Sequence, residues 1–202
     1  MFPDYFRDDV FRLETQRLWL RWPTAGDAAM IEKLAGEREV AEFTARIPHP
    51  YPAGGGHAWV RAARKANSDG VAVQLAIALK QKPTIPIGAI GLDGDGEAVE
   101  IGYWLGRMYW GSGLMTEAVA GLLDLIWLAT DVERIEASVA LANPRSARVL
   151  ERAGAVKNAS GDPLHRSVSR TCPRLGSSTV TWEPSSTETS PGEVGAQLSS
   201  GI

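Results

Sequence analysis

The 202-residue chain has a single cysteine, Cys172, so no intramolecular disulfide can form. That fits a reducing, cytoplasmic setting. Nothing around Cys172 marks its thiol as activated, and it reads as a structural or incidental residue. Histidine is also scarce: His49, His57 and His165 are too far apart to make a metal-ligand spacing, so no metal site is expected. The net charge of −3 gives no general attraction to phosphate backbones, and no nucleic-acid partner is expected. Long apolar runs are missing too. The most apolar stretch, "GLMTEAVAGLLDLIWLA", contains Glu117 and Asp124, and reads as a helix with a buried face, not as a membrane span. The opening "MFPDYFRDDVFRLE" carries acids and no apolar core, which is not the pattern of a signal peptide.

What is present reads as one domain. The segment 184–202, "PSSTETSPGEVGAQLSSGI", is rich in Ser, Thr, Gly and Pro and poor in large apolar groups. It cannot bury enough surface to offset its ordering entropy, so it reads as a disordered tail. A single domain over residues 1–183 remains, with its folded unit running from about residue 14 to 182.

"QRLWLRW" places Leu18, Leu20 and Trp22 on one face of a strand. Thr24, with Asp27 three residues on, opens a helix through Leu34 in the manner of a capping box. "IPHPYPAGGG" is a loop, and a helix follows from His57 to Ala66 with Trp59, Ala62 and Ala63 inward. Three short runs, "VQLAIAL", "PIGAIGL" and "AVEIGYWL", then form an antiparallel meander on short connections. A long helix over 114–129, a strand over 134–141 and a helix over 144–153 follow. Weaker strands lie near Val156 and at "STVTW". This order predicts a mixed sheet with helices on its faces.

The stretch "YWGSGLMTEA" sets Gly111 and Gly113 directly before the long helix. The first N–H groups of a helix lack intrahelical partners and sit at its positive end. Glycines let an anion reach them, so the stretch reads as a cradle for a phosphate or diphosphate. A tight strand-to-helix turn needing positive φ accounts for the same two glycines. No Gly-Lys-Ser/Thr is present, and Thr116 stands where a dinucleotide fingerprint needs its third glycine. Downstream, "LANPRSARVLERAGA" gives Asn143 as an N-cap, Pro144 at the first helical position and Gly154 at the stop.

Together, "EIGYWLGRMYWGSGLMTEAVAGLLDLIW" and "RIEASVALANPRSARVLERAGA" resemble the GNAT acetyltransferase superfamily. Within it they resemble the RimJ/RimL-like branch of ribosomal-protein N-terminal acetyltransferases and their small relatives. "LETQRLWLRWPTAGDAAMI" resembles that branch's first strand and helix, so the likeness covers residues 13–156. It implies an α/β (α+β) fold: a mixed, mostly antiparallel central sheet, helices on both faces, and strands splayed at the cofactor site. Three departures stand out: Met108 where the loop often begins with Gln or Arg, Gly154-Ala155 where Gly-Phe is common, and a last hairpin, "LHRSVSRTCPRLGSS", only loosely alike.

The resemblance implies acetyl-CoA as cofactor and an amine as acceptor, with a monomer or homodimer as the working form and no membrane partner. The amides of Gly111, Ser112, Gly113 and Leu114, with Trp110 beside them, would take the diphosphate. Backbone groups at Tyr103, Trp104 and Leu105 would hold the pantetheine arm, and Asn143 would lie at the thioester. Glu100 is the candidate general base, directly or through water, against a reading as a strand residue on a solvated face. Ser146 is the candidate donor to the departing thiolate, against a reading as an ordinary first-turn serine. Asn143 can cap its helix and touch the cofactor in different rotamers. Arg107, Arg145 and Arg148 read as solvated side chains, and Tyr109 and Trp110 as loop packing. Trp22, residues 48–52 and Trp59 would shape the acceptor pocket. An acyl-CoA-binding module with weak or no catalysis is the alternative to the enzyme.

Overall fold

The computed structural model describes residues 2–44, 46–94 and 98–157, and the backbone of 165–171. The single cysteine, the "STVTW" strand and the segment 184–202 lie outside the described residues.

The fold starts earlier than residue 14. A 3-10 turn at Asp4–Arg7 buries Phe6, and Phe2 is buried beside it. Strand β1 (Arg12–Glu14) pairs with β2 (Leu18–Arg21), Leu13 opposite Leu20. Leu18 and Leu20 are fully buried, as their alternation requires. Trp22 extends that stripe and is 5 % exposed; its indole N–H donates to the Phe6 carbonyl at 3.0 Å. It is therefore a core residue and not part of an acceptor pocket. The N-terminal turn covers it.

After a 3-10 turn (Ala25–Asp27) come helices α1 (Ala28–Ala35), α2 (Arg38–Ala41) and α3 (Gly55–Asp69). The Thr24–Asp27 pair is present, but Asp27 is fully buried and does more than cap. It accepts from the Thr24 amide at 2.6 Å and from both Arg21 Nη atoms at 2.7 Å. Helix α3 begins two residues before His57, and its buried stripe is Gly56, Val60, Ala63 and Asn67. The inward set differs from the one read off the sequence: Ala62 is exposed and Trp59 only half-buried. Gly56 sets the rotation, since a Cβ there would collide with the Ala28 carbonyl of α1. Asn67 is tolerated in the stripe because its amide pairs with the Gln74 backbone in both directions, at 2.9 and 2.6 Å.

Strands β3 (Ala72–Leu79), β4 (Pro86–Gly94) and β5 (Ala98–Leu105) form the expected antiparallel meander. Helix α4 (Leu114–Ala129), strand β6 (Arg134–Ala140), helix α5 (Pro144–Arg152) and strands β7 (Val156–Lys157) and β8 (His165–Thr171) follow among the described residues. The sheet order is β1-β2-β3-β4-β5-β6-β8-β7. Only β5–β6 is parallel; the other neighbours are antiparallel. The near-continuous burial of β3 and β4 means that helices cover both faces there. Helix α1 packs with α3, and α4 with α5.

The pairing between β5 and β6 is short. It joins Ala98 to Arg134, Val99 to Ile135 and Glu100 to Glu136. Beyond Glu100 the strands part, so the splay expected from the resemblance is a feature of the sheet.

Candidate active site

A cleft of about 1230 Å³ opens where β5 and β6 diverge. It runs from the start of α4, past the first turn of α5, to Phe43, Ile47 and Trp59 between the α1–α3 layer and the sheet.

At one end is the glycine loop. Gly111 and Gly113 have φ of +78° and +77°, the left-handed region that side chains resist. Gly113 is also the N-cap of α4 and offers no capping side chain. A Cβ on Gly111 would meet no protein atom within 4 Å, and one on Gly113 would meet only Arg17 Nη2, at 3.6 Å. The strand-to-helix turn and the open approach to the amides are thus both present. Of the residues predicted to hold acetyl-CoA or to act in catalysis, Ser112 alone does not line the cleft. Its hydroxyl donates to the Tyr109 carbonyl at 2.7 Å, and its carbonyl accepts from Arg17 Nη1 at 3.0 Å. Trp110 anchors the loop to the end of β5, its indole N–H donating to the Leu105 carbonyl at 2.7 Å. The guanidinium groups of Arg107 and Arg145 lie over the Trp110 ring, at 4.9 and 5.4 Å.

In the middle, alternation along β5 holds as read. Val99, Ile101 and Tyr103 share one face; Glu100, Gly102 and Trp104 share the other. The Tyr103 hydroxyl crosses the gap left by β6 to reach α5, 2.9 Å from Ser146 Oγ and 3.3 Å from the Ser146 carbonyl. Burial holds the Tyr103 phenol far above its ordinary pKa, and the bond to Ser146 offsets only part of that. It therefore stays protonated at neutral pH. Asn143 caps α5, its side-chain oxygen accepting from the Ser146 amide at 3.1 Å. Asn143, Ser146, Leu105 and Leu114 all line the cleft.

At the far end, Glu100 lies opposite Asp93 of β4, and Arg46 bridges both carboxylates, at 2.8 Å to Asp93 and 3.5 Å to Glu100. The Glu100 side chain is 50 % exposed, so it is both a cleft residue and a partly solvated one. His49 and His57 are exposed and do not line the cleft. His165 falls on β8. Among the described residues no group of three or more His, Cys, Asp or Glu could hold a metal ion.

Sequence reasoning missed one cluster. Glu117, in the first turn of α4, accepts from Thr15 Oγ1, the Arg17 amide and Arg17 Nε, each at 2.6 Å. Burial pushes the Glu117 carboxyl up, but these donors overcome that and hold it below the usual carboxylate range. The available signal was the pairing of "TQR" with an acid in the first turn of a mostly apolar helix.

This architecture is also found in known proteins. The family described as "Acetyltransferase (GNAT) domain" matches residues 17–156. The chain belongs to the GNAT acetyltransferase family. An uncharacterized N-acetyltransferase, p20, of Bacillus licheniformis is 30 % identical over 141 residues, spanning 68 % of this chain and 78 % of that protein. The Mycobacterium smegmatis RimJ structure, in complex with CoA-disulfide, superposes with a TM-score of 0.72 at 22 % identity, over 87 % of this chain and 92 % of that one. The ribosomal-protein-S5-alanine acetyltransferase of Vibrio fischeri gives 0.66 at 21 % identity, over 86 % and 100 %. The two solved structures share the fold of this chain, and this GNAT protein is an acetyl-CoA-dependent N-acetyltransferase. Among the described residues no helix is long and apolar enough to cross a membrane.

Proposed function

We propose that this GNAT protein acetylates a primary amine, either a protein N-terminus or a small-molecule amine, by direct attack on the thioester. One observation carries the reading: the side-chain-free amides at the start of α4 and the edge of β5 that β6 abandons open into the same cleft. The residues present fit acetyl-CoA. The amides of Gly111, Ser112, Gly113 and Leu114 would hold its diphosphate, at the positive end of α4. The β5 edge over Tyr103, Trp104 and Leu105, which β6 no longer pairs, would take the arm, except at the Leu105 carbonyl, which Trp110 holds. When bound, acetyl-CoA supplies an activated acyl group.

The chain's own groups supply the rest. Glu100 takes the proton of the attacking amine, directly or through water. Backbone N–H groups of β5 stabilise charge gathering on the carbonyl oxygen. Ser146 donates to the departing sulfur, and the phenol of Tyr103 fixes its hydroxyl. Asn143 orients the first turn of α5 that carries Ser146. The acceptor would enter by Trp59 and residues 48–52, past the Asp93–Arg46–Glu100 bridge. The single cysteine supports a cytoplasmic setting and the small net charge the lack of a nucleic-acid partner.

The test is incubation with acetyl-CoA and a panel of peptides and amines, reading thiol release. Release above the spontaneous rate with at least one primary amine is expected. Tight acetyl-CoA binding with no release on any acceptor would overturn the catalytic reading.

A further inference from the structure

We propose that Arg17, on the β1–β2 hairpin, is a positioning residue for the diphosphate cradle; the inference rests on the reading of the glycine loop given above. A backbone carbonyl turned into an anion site repels the anion. Two carbonyl oxygens of the loop are drawn off. Ser112 Oγ donates to the Tyr109 carbonyl at 2.7 Å, and Arg17 Nη1 donates to the Ser112 carbonyl at 3.0 Å. Because the peptide is planar and trans, fixing the Ser112 C=O toward Arg17 aims the Gly113 N–H the opposite way. Ser112 and Arg17 do not line the cleft, whereas Gly113 does. The N–H is thereby presented on the cleft side.

Glu117 presents a second problem that Arg17 solves. A carboxylate in the first turn of α4 sits at the positive end where the diphosphate would bind. Its charge is already spent on Thr15 Oγ1, the Arg17 amide and Arg17 Nε, each at 2.6 Å. Arg17 can do both jobs only because its fork reaches two acceptors at once, with Nε on Glu117 and Nη1 on Ser112. Nη2 stands 3.6 Å from the place of a Cβ on Gly113 and makes no hydrogen bond among the described residues. A lysine has three donors on one nitrogen and does not reproduce the planar, spaced reach of Nε to the acid and Nη1 to the carbonyl.

The experiment compares binding of acetyl-CoA, by calorimetry, with binding of S-acetylpantetheine, by competition; the second ligand lacks the diphosphate. In Arg17→Met the preference for acetyl-CoA over S-acetylpantetheine falls about tenfold. Arg17→Lys does not restore it. Thr15→Val, which strips one donor from the Glu117 carboxylate and leaves its charge beside the cradle, gives the same direction of change and serves if the Arg17 variants fail to fold. A preference within about twofold of the starting protein in a folded variant overturns the inference. So does full rescue by lysine, which would make charge alone the cause, and so does an equal loss for both ligands, which would mean general damage. Failure of the unmodified chain to bind acetyl-CoA at all sinks the underlying reading instead.

Discussion

Gly102 offers the cleanest separation of folding from function in this GNAT protein. Another glycine of the sheet, Gly88, is fixed by packing. A Cβ on Gly88 would run into the Trp104 carbonyl, and one on Gly91 into the Gln74 side chain. A Cβ on Gly102 would meet nothing within 4 Å, and its φ lies outside the left-handed region. Packing therefore does not require glycine there, yet Gly102 lines the cleft on the face of β5 shared by Glu100 and Trp104. A strand-interior glycine costs stability, so Gly102→Ala should stabilise the fold by about 0.5–1 kcal/mol. For a domain of this size that raises the thermal midpoint by about 1–4 °C. The added methyl would occupy the cleft floor between the candidate base and the splayed edge. With the best acceptor from the panel, kcat/KM from thiol release should fall about tenfold, or about 1.4 kcal/mol of transition-state stabilisation, and Gly102→Val should fall further. A variant as stable as expected but with undiminished kcat/KM would refute the placement of the reacting groups over this face.

Gly113→Val should weaken acetyl-CoA binding about tenfold, or about 1.4 kcal/mol, by calorimetry, while circular dichroism shows the fold retained; unchanged affinity would remove the diphosphate reading. Glu100→Gln should lower turnover at every pH tested and leave acetyl-CoA affinity near its starting value, and full activity across pH excludes Glu100 as base. Asp27→Ala strips a fully buried carboxylate from the Arg21 fork and should cost about 3–5 kcal/mol in denaturant unfolding; a loss under 1 kcal/mol, ~1 being the level of a surface pair, would contradict the burial. Because Glu117 is held below the usual carboxylate range, its contribution is present above the unfolded-state pKa and is lost as pH falls through its folded value. Acid unfolding should therefore shift to higher pH in Thr15→Val, and an unshifted profile would show that the Thr15 bond does not matter.

The parts of the site that a single segment encodes were legible. Positive φ at 111 and 113 demands glycine, and Asn143-Pro144 announces a capped helix, because both are decided by near neighbours in the chain. The three-strand meander was legible for the same reason: its connections are short. The misreadings arose where distant elements meet. Trp22 continues an alternating stripe, and only the N-terminal turn carrying Phe6 shows that the stripe ends in the core. The rotation of α3 follows from the contact of Gly56 with α1, not from the pattern of α3 itself. Thr15, Arg17 and Glu117 looked unrelated because a hundred residues separate the hairpin from the helix.

The splay lies between these cases, and it explains why the site is where it is. The segments "EIGYWL" and "RIEASVAL" each read as strands, and nothing in either says that their pairing stops after three residue pairs. Once they part, the backbone groups of β5 from 101 onward lose their partners on that side. An unpaired buried N–H or C=O costs free energy, so a fold that opens its sheet must recover those partners elsewhere. The structure recovers one such partner and adds a side-chain tie. Trp110 donates to the Leu105 carbonyl, and the Tyr103 side chain reaches Ser146 and ties β5 to α5 where β6 no longer does. Those contacts hold the gap at a fixed width without closing it, and the remaining edge faces a cleft. A peptide-like arm that pairs with that edge would repair the ladder, and an acyl group at its end would be carried toward Ser146, Asn143 and Glu100. The same interruption in sheet pairing that costs the fold hydrogen bonds would thus be what orients the substrate.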